Sequence, residues 1–519
     1  MCWVTVTRST RLDTKVRRVP MLSGSRVALV PTAADDVVLR PPGPPEQIVD
    51  VPAAVRDAFR FPLSGPSLAR LVGTGARARA TIVVEPPSLP VPGAQQDPRP
   101  TALAATIDEL AACGVPDTRL TLVVAGGLGR RYGQRELERL LPPPRARAFR
   151  GRVAVHDVED DALVPMAGGA RANRALVETD LVVVVGAAET VLHGGPGTLA
   201  AACDAATVRS LAGAGSLIEA AALPEWERLL AIEEALAALA PAIGLSLVLD
   251  LPRLTGTYRG YPYEPEALRA VVRSPFRRIF ARLPAFLRRD VLARQQRRID
   301  TIGAYAGPPS VAHAEALLRG VDLRGLRLAE PVDALVVGAP WIGQHHPREI
   351  ANPLSAAAIA LGLALRLYRD AFPVRAGGTL VLVHPLSRSF AQGGGDPYAA
   401  SFAALRDANE PAELAAAERS AARDERALAA YRGGRACHPL LPYADWAGCA
   451  PALSQLGQVV VAGCRDALAA RTLGFVPSHG IGSALEMAHG VAGGRAEVGL
   501  LLAPPYAPLL VGEGQPSPR

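Results

Sequence analysis

Apolar positions along this chain fall into short, nearly unbroken runs, separated by turns rich in glycine and proline, with helical spacing in the intervals. Residues 26–30 (RVALV), 80–84 (ATIVV), 120–125 (LTLVVA), 152–156 and 180–185 predict strands. The last is apolar at almost every position, as expected when both faces of a strand are covered. Helical spacing occupies 51–60, begins again at Ser67, and recurs over 101–113 and 134–141. Strands alternating with helices imply a largely parallel sheet with helices on both faces. Residues 225–300 read as helical, and 269–298 are strongly basic. A second series follows, with strands at 333–338, 379–383, 458–462 and 498–502 and helices at 353–368, 410–432 and 483–489.

The expected fold class is therefore α/β, with two domains of mainly parallel sheets flanked by helices and joined by a helical basic segment. The expected boundaries are a disordered tail or mis-assigned start at 1–24, an N-terminal α/β domain at 25–225, a helical connector belonging to it at 226–330, a C-terminal α/β domain at 331–512, and a disordered tail at 513–519.

Composition narrows the function classes. With 519 residues, 49% hydrophobic and 20% charged, the chain can bury sizeable cores. A net charge of +7 is modest for this length and does not call for nucleic acid. No apolar run reaches the ~18 residues that span a bilayer, and the segment before Met21 lacks the apolar core of a secretory signal. The six cysteines form no CxxC pair, which argues against a zinc knuckle or disulfide scaffold and for a reducing cytoplasm. The expectation is a cytoplasmic protein without nucleic-acid or membrane partners, of open oligomeric state. Lys15 is the only lysine among 56 basic residues, so nothing after it can form an amide, a Schiff base or an ammonium clamp.

Ligands in open parallel sheets bind beyond the carboxyl ends of the strands, which directs attention to four loops. Gly127–Gly133 is glycine-rich and precedes a helix; it is either a tight turn or an anion site assisted by Arg130, and it misses the dinucleotide fingerprint by one residue. His193-Gly194-Gly195-Pro196-Gly197-Thr198 is a candidate phosphate or carboxylate loop, but without a lysine it is not a P-loop. His193 is either an acid–base group or a hydrogen-bonding residue. His156 stands beside Asp157, either as a carboxylate-oriented base or in a capped polar loop. His345 and His346 are adjacent, but no carboxylate partner is evident and no metal site is expected. Ser88, His384 and Asp396 are the residue types of a hydrolase triad, but no nucleophile elbow is present.

Taken in order, these patches resemble the nickel-pincer lactate racemase family from about Arg26 to Leu510. The resemblance rests on AVRDAFRFPLSGPSLARL, TIVVEPPSLPVP, LVVAGGLGRRYGQREL, VAVHDVEDDALV, NRALVETDLVVVVG and HGGPGT, and later on PVDALVVGAPW, NPLSAAAIALGLALRLYRDAFPVRAGGTLVLVHPL and LGFVPSHGIGSALEMA. It implies a 2-hydroxyacid racemase that moves a hydride through a nickel-pincer derivative of nicotinic acid mononucleotide. In that family a lysine tethers the cofactor, a histidine ligates nickel and two further histidines act as acid and base.

By this resemblance the tethering lysine is expected near Gly197 and the nickel histidine near Gly213. One catalytic histidine falls on Gly129, beside a retained Arg130, and the other near Ala187. The early aspartate and arginine fall near Pro86 and Leu89, where Glu85 is the nearby carboxylate, and a later Gln–Lys pair falls near Asn352 and Ser355. The expectation is a family member degenerate at the pincer site, with no cofactor, binding a small carboxylate between its domains. Candidate substrate-binding residues are Glu85, Ser88, Arg130, Gly194, Gly195 and Asn352, and candidate catalytic residues are His156 and His193; no metal ligand is expected. The alternatives are an active isomerase or other enzyme using a different residue set, such as His156, His193 and His384 with arginine clamps, and a nucleotide-binding α/β enzyme.

Overall fold

A computed structural model describes residues 18–73, 78–87, 96–213, 215–219, 223–256, 258–343, 345, 350–390, 396–408, 410–502 and 506–512. Among them, two six-stranded sheets organise the chain. The N-terminal sheet runs in the order Thr301–Gly307, Ala242–Leu249, Leu181–Ala187, Ala80–Val84, Leu120–Val124, Arg152–Val155. All neighbours are parallel except the first pair. Side chains alternate between faces of a strand, and both faces are covered here. Ile82, Val84, Leu122 and Val124 pack with Val55 and Phe59 of helix Val51–Arg60 and with Ile107 of helix Arg99–Ala112. Val83, Val123, Val182 and Val184 face Leu199, Leu229 and Leu236 on the other side. Double coverage is why these strands carry continuous rather than alternating apolar runs.

The C-terminal sheet, parallel throughout, runs in the order Val476–Ser478, Gln458–Ala462, Val374–Val383, Val332–Gly338, Val498–Leu501, Val37–Leu39. Its last strand comes from near the start of the chain. The antiparallel hairpin Arg18–Ser23/Arg26–Pro31 joins it, packing Val19, Met21 and Val30 against Ala334, Val336 and Val381. Strand Arg18–Ser23 therefore falls inside the stretch 1–24 that patterning assigned to a disordered tail, and these early residues serve the C-terminal core; residues 1–17 and 513–519 lie outside the described residues.

The structure differs from the patterned expectation in three further places. The stretch 225–300, read as helical, holds the eight-residue strand Ala242–Leu249 in the interior of the N-terminal sheet. A strand buried on both faces has no period by which to recognise it. The helix expected over 410–432 is two, Pro411–Ala421 and Glu425–Arg432, because Asp424 accepts from the Arg426 and Ala427 amides and starts a new helix. The helix expected over 353–368 is regular only over Pro353–Ala357; it widens into a π-helical turn at Ala358–Leu363 and tightens at Ala364–Arg366.

Hydrogen bonds lock the two sheet domains together. The His438 amide donates to Leu128 O at 2.8 Å, and the Leu217 amide donates to Arg366 O at 2.7 Å. His438 Nε2 meets Glu159 Oε1 at 3.0 Å, and Arg131 Nη1 donates to Arg432 O at 2.7 Å.

Leu335 is fully buried in the central strand of the C-terminal sheet. Leu335→Ala is expected to lower unfolding free energy by about 2–5 kcal/mol, read as a fall in the urea midpoint at unchanged slope.

Candidate functional site

The carboxyl ends of three adjacent N-terminal strands deliver Glu85, the loop Gly126–Arg130, and the turn through Thr190 and His193 to one place. The C-terminal domain closes the opposite wall with His345, Arg366 and Asp445, enclosing a cavity of about 210 Å³. A second lobe of about 290 Å³ continues past Glu85 and His193 toward Arg99, Glu189 and Arg324.

Glu85 Oε2 accepts the Gly194 amide at 2.9 Å and the Thr198 hydroxyl at 3.2 Å. Burial pushes its carboxyl up to about 8, against the lowering effect of the Gly194 amide, so the group is mostly protonated at neutral pH. Gly194 and Gly195 have φ of 98° and 49°. A Cβ on either would run into its surroundings, Ala187 O for Gly194 and the His313 side chain for Gly195. Both glycines therefore shape the turn and aim the Gly194 amide at Glu85.

His193 Nδ1 lies 2.8 Å from Thr190 Oγ1, which itself accepts the Leu192 amide at 3.2 Å. Thr190 Oγ1 and His193 Nδ1 share this hydrogen bond, and either neutral tautomer of the ring satisfies it. Burial, reinforced by His345, His313 and Arg366, pulls His193 down to about 4 and keeps it neutral. Its Nε2 makes no hydrogen bond among the described residues.

On the facing wall Arg366 is only 4% exposed. Its Nε donates to Gly215 O at 2.7 Å and Nη1 reaches Gly448 O at 3.5 Å, while Nη2 is buried with no acceptor. No carboxylate pairs with it among the described residues, and burial lowers its pKa to about 10. Beside it, His345 Nε2 meets Asp445 Oδ1 at 2.7 Å, and the Tyr398 hydroxyl donates to Asp445 Oδ2 at 2.6 Å. The arrangement is a guanidinium with a spare donor, facing a neutral imidazole with an unengaged Nε2 and a second imidazole oriented by a carboxylate.

The structure brings Glu85, His193, Gly194 and Arg130 to this region and leaves other candidates elsewhere. Arg130 lines the cavity, but its Nη1 donates to Gly434 O at 3.0 Å and its Nη2 lies 3.6 Å from Glu136. The Nη1 bond ties this cavity residue across to the C-terminal domain. His156 is buried away from the cavity, its Nε2 on Cys203 O at 2.8 Å and its Nδ1 on Asn173 Nδ2 at 3.0 Å. With both ring nitrogens engaged it holds the fold. Asp157 does not orient it and instead sits 3.5 Å from Arg131.

Asn352 caps helix Pro353–Ala357, accepting the Ser355 amide at 3.0 Å, and is not turned to a ligand. His384 is buried with Nδ1 accepting the Leu386 amide at 3.1 Å, and Asp396 caps helix Pro397–Asp407, so neither builds a triad. Ser88 and His346 lie outside the described residues. Sequence reasoning missed Arg366, whose one signal was a charge isolated inside the apolar run 356–367. It also missed the pairing of His345 with Asp445, for which a separation of 100 residues leaves no local signal.

The positions expected for cofactor chemistry are closed. A Cβ on Gly197 would strike the Leu192 carbonyl, and one on Gly213 would enter the Glu225 carboxylate. Among the described residues, no three His, Cys, Asp or Glu side chains gather to hold a metal ion, and no helix is long and apolar enough to cross a membrane.

Residues 25–195 match the lactate racemase N-terminal domain. No curated protein sequence matches the chain. Among solved structures it is similar to the lactate racemase apoprotein from Thermoanaerobacterium thermosaccharolyticum, at a TM-score of 0.60 and 13% identity over 95% of this chain and 99% of that one. It also matches a Thermotoga maritima protein at a TM-score of 0.47 and 13% identity, over 79% of this chain and 90% of that one. The structural likeness carries the fold of both domains, and the sequence match carries a lactate racemase N-terminal domain over residues 25–195.

Proposed function

We propose that this protein binds a small carboxylate in the interdomain cleft and does so without a nickel-pincer cofactor. The observation that carries the reading is Arg366, a buried guanidinium with an unused Nη2 and no ion-pair partner among the described residues. A ligand carboxylate supplies both the missing acceptor and the missing charge. The unengaged Nε2 of neutral His193 offers a second donor in its Nε2–H tautomer, and Glu85, protonated at neutral pH, does not repel the anion.

The residues present do not fit the family's cofactor. The tether requires a lysine amine, but Gly197 stands where it is expected, hard against the Leu192 carbonyl. The nickel ligand requires an imidazole, but Gly213 stands there, hard against Glu225. Position 129 is glycine and position 187 alanine where acid–base histidines are expected, so the family's hydride route has no support from this chain. The unbridged thiols of Cys113, Cys203, Cys437, Cys449 and Cys464 favour a cytoplasmic setting. A second reading, catalysis by a different residue set, is favoured by one observation, the His345 imidazole held by Asp445 near His193.

Isothermal titration with D-lactate, L-lactate and acetate is expected to show binding that Arg366→Gln weakens about tenfold to a hundredfold and Arg366→Lys weakens less. Equal affinity in wild type and Arg366→Gln rejects the reading. Protein co-expressed with pincer-biosynthesis enzymes is expected to carry no nickel and no covalent pyridinium adduct; stoichiometric nickel overturns the cofactor-free assignment. Chiral chromatography of D- and L-lactate separates the two readings, since interconversion supports only the second.

Carboxylate affinity is expected to fall as pH rises through about 8, when Glu85 ionises, and Glu85→Gln is expected to abolish that fall. The same group acts on stability. Its folded pKa lies above the unfolded value, so its contribution is full below about 4.5 and is lost as pH rises through about 8. Denaturant titrations across that window are expected to show a decline of up to about 1.4 kcal/mol per pH unit attributable to this site, absent in Glu85→Gln.

A further inference from the structure

A separate cavity of about 240 Å³ lies where the hairpin Arg18–Pro31, the helices Pro265–Arg273 and Phe276–Arg282, and the carboxyl ends of strands Val332–Gly338 and Val498–Leu501 meet. Carboxyl ends of parallel strands are where open α/β sheets hold their ligands, yet nothing in the cleft reading uses this end of the C-terminal sheet. The walls are mostly apolar, with Leu22, Phe280, Leu292, Trp341, Leu501 and Tyr506 among them. Such walls give a polar metabolite nothing to bond.

Polar side chains are few on these walls, and Arg277 is the one with an unanswered buried donor. Arg277 lines the cavity half-buried, and its Nε is fully buried with no hydrogen-bond partner among the described residues. No carboxylate pairs with it among those residues. An enclosed apolar space with a single under-satisfied guanidinium at its wall matches a molecule with an apolar body and one anionic head. An apolar cavity of roughly 150 Å³ admits benzene, so this one holds an aryl or acyl group of about six to eight carbons.

We propose that this cavity binds a hydrophobic monocarboxylate, its apolar body among Phe280, Trp341 and Leu501 and its carboxylate on Arg277. The site is independent of Arg366, so it stands or falls separately from the cleft reading.

Titration calorimetry with octanoate and 1-octanol tests it. Wild type is expected to bind both. Arg277→Gln is expected to weaken octanoate tenfold or more while leaving 1-octanol unchanged. Val271→Trp, which fills the cavity, is expected to remove both. A measurement on the native sequence guards against a misfolded variant: 2-bromooctanoate is expected to quench tryptophan emission, and Trp341→Phe to lose most of that quenching. Failure of wild type to bind octanoate, or undiminished octanoate affinity in Arg277→Gln, would each overturn the proposal.

Discussion

A guanidinium held out of water without a counter-charge is the constraint around which the two domains are arranged. Removing an ion from water costs several kcal/mol even after relaxation, and carbonyl oxygens recover only part of it. Arg366 finds one such oxygen on each side, Gly215 O from the N-terminal domain and Gly448 O from a helix of its own domain. The Leu217 amide returns a bond to Arg366 O, so the segment 215–217 and the tight turn 364–366 hold each other. Separating the domains would strip the charge of an acceptor, and closing them completely would leave Nη2 unanswered. The cleft is the compromise between the two.

The backbone around Arg366 serves the same end. A regular helix through 353–368 would carry its side chains past the cleft at a steady 100° per residue. The π-helical turn at 358–363 resets that progression, and π turns recur at functional positions. The Gly448 carbonyl, from the helix Leu441–Gln455, reaches the guanidinium across this turn. On the opposite wall the glycines of the 194–197 turn remove the space a side chain would need, so that wall acts through a backbone amide, a threonine hydroxyl and a histidine.

Much of the layered fold was legible because apolar runs with turn punctuation are local signals. Strands 80–84, 120–124 and 458–462 stand where patterning put them. The strand Ala242–Leu249 was not legible, because a strand buried on both faces and a buried helix share the same apolar run. Site chemistry was legible only where a loop followed a strand: Glu85, His193 and the paired glycines were found that way. His156 carried the same local signature and proved to be a structural residue, since its partners, Cys203 O and Asn173, are set by tertiary packing.

By itself the sequence determined the α/β layering, the family resemblance and the absence of any lysine after position 15, because each depends on residue type and local order alone. Only the tertiary structure decided that Val37–Leu39 completes the distant C-terminal sheet, that Asp445 reaches back to His345, and that Arg366 is buried with Nη2 left without an acceptor. Those outcomes depend on which segments meet after the chain has crossed between domains, and burial and pairing belong to the meeting rather than to either segment.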